Sequence, residues 1–145
     1  MTPHPSNSKE QQAAGLALVN ALSHHLGVPL ESRVLELDGH CTVQLDGYSD
    51  DPPVICQAWA HIGKPRGSQP DKVMSDAFKL LFCEKLLRRK FRKILVFADE
   101  KAKQYFAGTS WLASCLREYG VEIVTLQLHP ILLSKIERAQ ERQYR

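Results

Sequence analysis

The hydrophobic patterning predicts an α/β protein: a three-layer α/β/α sandwich with a mixed sheet, in the order αβββαβαβα. Three observations lead there. Residues 93–98 and 121–126 are largely apolar runs of the kind that forms buried strands. Between them, residues 109–119 keep helical spacing and stop at Gly120, which makes a strand, helix, strand unit with a right-handed crossover. Upstream, three shorter β-type runs follow one helical segment and precede another.

The elements can be justified in order. Residues 1–8, with two prolines and small polar residues, read as a disordered tail that offers Asn7 or Ser8 as a helix cap. From residue 9 to 26, Ala14, Leu18, Ala21, Leu22 and Leu26 recur at helical spacing until Gly27 and Pro29 end the run. Residues 33–38 and 41–48 are β-type runs joined at Gly39 and His40, a hairpin signal. An Asp- and Pro-rich turn over 48–53 leads into a third strand over 54–62. Residues 63–69 form a loop, and a helix over 70–89 presents Val73, Ala77, Leu80, Leu81 and Leu87 to the sheet. A last helix spans 130–142. Residues 9–145 thus make a single domain, as expected for 145 residues.

Composition excludes several classes. Hydrophobic residues at 43% and charged residues at 24% are ordinary for a folded domain, and a formal charge of +3 does not by itself imply nucleic-acid binding. With no apolar run of roughly 18 residues and no signal-type start, a cytoplasmic protein without membrane contact is expected. The four cysteines are scattered through apolar runs with no CxxC pair, so buried reduced thiols are expected rather than zinc ligands. Nucleophile elbow, P-loop, GxGxxG and HExxH motifs are absent.

Chemistry concentrates on the second and third strands. Asp46 shares a strand face with Gln44 and Thr42, while Gln57, Trp59 and His61 share one on the next strand, so aligned polar faces bring Asp46 and Gln57 into one pocket. In the following helix Lys72, Asp76 and Lys79 fall at i, i+4 and i+7, a single polar stripe.

This element order, with Asp46 and the segment from Gln57 through Lys79, resembles the PD-(D/E)XK nuclease superfamily, the restriction-endonuclease-like fold, over about residues 10–126. The resemblance implies metal-dependent hydrolysis, or binding, of nucleic-acid phosphodiesters. Asp46 is then a ligand for Mg²⁺, Asp46, Gln57, Lys72 and Lys79 are the candidate catalytic set, and the motif lysine has moved into the helix. Gln57 stands where the family has Glu, and a neutral amide weakens a site for a hard cation. Trp59 stands where the catalytic lysine often lies, and Glu36 or Asp38 would be substitute ligands. Candidate nucleic-acid contacts are Lys64, Arg66 and Gln69 beside the cleft and Arg88, Arg89 and Lys90 in the basic run 85–93, six cations in nine residues.

Each residue also has an ordinary explanation. Asp46 and Gly47 suit a turn, Gln57 a satisfied buried amide, Trp59 a core aromatic with its N–H paired, and His61 a structural histidine. The helix stripe suits surface ion pairing, and the basic run suits a helix C-terminus. The alternative function is an inactive nuclease-fold module for interaction or assembly, with a protein partner or a second copy docking on the sheet edge or final helix.

Overall fold

The computed structural model describes residues 9–143. The proposed cap at Asn7 or Ser8 and the tail over 1–8 lie outside the described residues. The chain runs α1 (Lys9–Leu26), β1 (Glu31–Leu37), β2 (Cys41–Ser49), β3 (Val54–Trp59), α2 (Gln69–Leu87), β4 (Arg92–Phe97), α3 (Glu100–Tyr105), α4 (Trp111–Glu118), β5 (Val121–Thr125) and α5 (Pro130–Gln143). The five strands lie side by side in sequence order. β1, β2 and β3 pair antiparallel, and β3, β4 and β5 pair parallel, giving the mixed sheet.

Two layers of helix cover the sheet. On one face Leu45, Ile55, Trp59, Leu95 and Phe97 pack against Val73, Ala77 and Leu80 of α2, with Ala102 and Leu116 from α3 and α4. On the other, Val54, Cys56, Ala60, Ile94 and Val96 pack against Ala14, Leu18 and Leu22 of α1 and Ile136 of α5. β4 is therefore buried on both sides, which is why residues 93–97 carry no polar alternation. The one exception, Lys93, keeps its charge by pairing with Glu84 at 2.6 Å.

Local signals set the boundaries. The β1–β2 hairpin turns through Asp38, Gly39 and His40, the first two at positive φ, the left-handed conformation that tight hairpin turns use. α2 ends two residues short of expectation because Arg88 takes the left-handed conformation (φ 54°) and donates its N–H to Lys85 O. β3 ends at Trp59 rather than at residue 62, its parallel pairing with β4 stopping at Trp59–Phe97. The element absent from the expected order is α3, which begins where the Asp99 side chain accepts the Lys101 N–H. Cys56 and Cys83 are buried as expected, but Cys41 is exposed and Cys115 only half-buried, since one opens β2 beside the hairpin turn and the other lies on the flank of α4.

Candidate functional site

Pairing between β2 and β3 is short: Ser49–Val54, Tyr48–Ile55 and Gly47–Cys56. Beyond it β3 stays with β4 and β2 stays with β1, so the two strands part like a fork. Gly47 sits at the crotch. A β-carbon there would lie 2.5 Å from Cys56 Sγ and 3.2 Å from Val19 Cγ1, so only glycine allows the close approach.

Strands that part expose main-chain donors, and here side chains satisfy them reciprocally. The Asp46 N–H donates to Gln57 Oε1 at 2.7 Å, and the Ala58 N–H donates to Asp46 Oδ2 at 2.8 Å. The Gln57 amide, 4% exposed, also donates through Nε2 to Asp76 Oδ1 at 3.5 Å. Lys79 Nζ lies 3.8 Å from the same oxygen.

The fork opens into a cavity of about 620 Å³. Asp46, Gln57, Trp59 and His61 line it from the sheet side, Lys72, Asp76 and Lys79 from α2, and Gln11, Gln12 and Leu16 from α1. The candidate catalytic set, Asp46, Gln57, Lys72 and Lys79, is thus gathered around one space, as the alternation and the helix stripe predict.

The electrostatics are those of two carboxyl groups sharing a partly dry space. Burial pushes Asp76 up to about 6, with the Asp46 charge adding, while Lys79, Lys72 and the Gln57 amide oppose. Burial also raises Asp46, against the Ala58 N–H and the two lysines. His61 is pushed down to about 4 by burial and then by Lys72, so it is neutral at physiological pH. Its Nδ1 lies 3.2 Å from Gln11 Nε2 on α1, and its ring stacks at 4.2 Å on Trp59. The third-strand alternation thus holds through Trp59, and His61, beyond the strand, turns to the α1 side.

Other predicted residues lie elsewhere. Lys64, Arg66 and Gln69 do not line the cavity. Lys64 is 5.9 Å from the Tyr105 ring, and the Arg66 N–H donates to Gln69 Oε1 in the turn that starts α2. Arg88, Arg89 and Lys90 stand before β4, at the end of the sheet where Arg92 N–H meets Pro53 O, whereas the cavity is at the opposite end of β3. There Arg89 binds Asp50 through the carboxylate and the carbonyl and sits 5.1 Å over Phe91. Glu36 and Asp38 are at the hairpin tip, away from the fork, and line no part of the cavity.

Two features went unassigned in the sequence. Asp76, visible there only as part of a stripe, is the second carboxylate of the cavity. Trp59, expected to have its N–H paired, has Nε1 buried with no hydrogen-bond partner among the described residues.

Among the described residues no group of three or more His, Cys, Asp or Glu side chains is arranged to hold a metal ion. Gln57 Oε1 already accepts the Asp46 N–H, and as a neutral oxygen it is a weaker donor to a hard cation than a carboxylate. What remains is the pair Asp46 and Asp76, whose donor set fits Mg²⁺, since that ion keeps several waters and takes only one or two carboxylates. No described helix is long and apolar enough to cross a membrane. Comparison with protein-family models, curated proteins and solved structures gave no match.

Proposed function

We propose that the chain is a divergent restriction-endonuclease-like domain that binds, and with Mg²⁺ hydrolyses, nucleic-acid phosphodiesters at the forked cavity. The observation that carries this reading is the convergence of Asp46, Asp76, Lys72 and Lys79 on one space between β2, β3 and α2. Asp46 and Asp76 are the oxygen donors for the ion, Asp76 replacing the carboxylate that Gln57 lacks. When bound, a divalent ion there supplies Lewis-acid polarisation of a phosphoryl oxygen. Gln57 acts as a positioning residue: one end holds the Asp46 main chain and the other orients the Asp76 carboxylate. Lys72, whose ammonium has no hydrogen-bond or ion-pair partner among the described residues, is the cation for the phosphate, while Lys79 balances Asp76.

A second reading is favoured by how fully Gln57 is used within the protein. If the amide permanently substitutes for the motif carboxylate, the same cavity is a binding module without turnover, and a partner protein or second copy is the natural user of the open β1 edge.

Calorimetric titration of MgCl2 and MnCl2 into the wild type, Asp46→Asn and Asp76→Asn separates them from the start. Saturable heat in the wild type that both variants lose, with cleavage of a labelled oligonucleotide, supports the nuclease. A flat wild-type trace sinks the metal site, and oligonucleotide binding without heat or cleavage leaves the binding module.

A further inference from the structure

The cavity contains a donor that the carboxylate pair does not use. Trp59 is 5% exposed and lines the cavity, yet its indole N–H is buried without an acceptor among the described residues. A buried N–H normally finds a partner, because leaving it unmet forfeits a hydrogen bond that water would have made. Two further donors line the same cavity. With Gln11 Nε2 donating to His61 Nδ1, the neutral imidazole carries its proton on Nε2, which has no partner among the described residues. Lys72 lies near enough to help hold that imidazole neutral. The His61 ring lies tilted against Trp59 at 4.2 Å and is tied to α1 by the Gln11 contact, so a ligand reaches the buried indole N–H only when the imidazole turns aside.

We propose that Trp59 Nε1–H, His61 Nε2–H and the Lys72 ammonium form an oxyanion subsite that receives a phosphoryl group without any metal. Three donors and no carboxylate among them select an anion, and the tetrahedral oxygens of a phosphoryl group can meet donors from β3, the segment after it and α2 together. The subsite rests on the reading of the cavity as a phosphodiester site, and it is tested in chelator, where no metal can bridge the ligand to Asp46 and Asp76.

The chain has two tryptophans, and Trp111 is 75% exposed. Trp111→Phe therefore leaves Trp59 as the only indole reporter. In this variant, with EDTA present, inorganic phosphate, an unphosphorylated oligothymidine and its 5′-phosphorylated form are titrated while the indole ¹⁵N–¹H cross-peak and the emission are followed. The expected result is a saturable downfield shift of the cross-peak, with affinity lowered at least tenfold by Lys72→Ala. Calorimetry on Trp59→Phe, which keeps an aromatic ring but deletes the donor, should show a comparable loss of affinity, whereas a merely structural Trp59 predicts unchanged affinity in the folded variant. Response to phosphate and the 5′-phosphorylated strand alone assigns a terminal phosphate, and response to both strands assigns a diester. An unshifted cross-peak with all three ligands overturns the subsite, whereas loss of Mg²⁺-dependent cleavage with the shift intact overturns only the nuclease reading.

Discussion

Gln57→Glu puts a third carboxylate at the fork and, in the absence of metal, should destabilise the protein. The new carboxylate keeps the acceptor for the Asp46 N–H but turns the 3.5 Å donation to Asp76 into a contact between like charges. At that separation and an effective dielectric near 20, Coulomb repulsion is roughly 4 to 5 kcal/mol. Proton uptake limits the loss: at pH 6 a Glu with an unfolded pKa of about 4.3 costs at most about 2.3 kcal/mol, at about 1.4 kcal/mol per unit. The sign follows, since a carboxyl raised in the fold opposes folding above its unfolded value and the penalty fades as pH falls. Thermal unfolding in EDTA should therefore show the variant below wild type by roughly 8 to 20 °C at pH 8 and by about half that at pH 6, taking about 2 to 4 °C per kcal/mol. Mg²⁺ at a hundred times its dissociation constant should return about 2.7 kcal/mol to the variant. Equal Tm values at pH 8, or a deficit that Mg²⁺ does not change, would refute the close approach of three acidic groups at this fork.

Three other outcomes follow from the same geometry. Gly47→Ala should cost about 1 to 3 kcal/mol in urea unfolding, because its β-carbon meets Cys56 Sγ and Val19 at the crotch, and a loss under 0.5 kcal/mol would contradict that packing. Asp76→Asn should stabilise the protein at pH 8 by about 2 to 3 kcal/mol, since the carboxyl is raised from 3.8 to about 6; the gain should shrink between those values and vanish near pH 4 in a stability–pH series. Arg89→Ala should lower stability by no more than about 1 kcal/mol, its pair with Asp50 being exposed, and leave the salt dependence of oligonucleotide binding unchanged. Lys72→Ala should instead reduce that salt slope by roughly 0.7 to 0.9, and the reverse ranking would move the phosphate track to the basic run.

Much of this architecture was legible in the sequence because its signals are local. β4 and β5 announce themselves as short, largely apolar runs, and α1 and α2 as long segments with one apolar face. The six residues of α3 hold less than two turns and bury only Ala102, so no periodicity could mark them; the available sign was Asp99 standing where a cap belongs. At the site, strand alternation paired Asp46 with Gln57 and helix spacing joined Lys72 to Lys79. Alternation cannot say where two strands stop pairing, and that stop decides which main-chain groups need side-chain partners. For the same reason Gln57 read as a damaged ligand when its amide is a brace, and Asp76 read only as the middle of a polar stripe, without its bond from Gln57. The basic run misled because sequence proximity to α2 says nothing about which end of the sheet a helix C-terminus reaches. Its position before β4 puts Arg88, Arg89 and Lys90 at the far end from the cavity.

The reciprocal bonds at the fork have a practical consequence for anyone disabling this site. Asp46 and Gln57 are at once the candidate chemistry and the terminators of the β2–β3 ladder, so truncating either to alanine strands an amide hydrogen and invites the two strands to zip further together. An inactive alanine variant would then report a closed mouth as readily as a missing oxygen. An isosteric exchange keeps the wedge in place: Asp46→Asn preserves an acceptor for the Ala58 amide, so its silence can be read as chemistry rather than as a changed doorway.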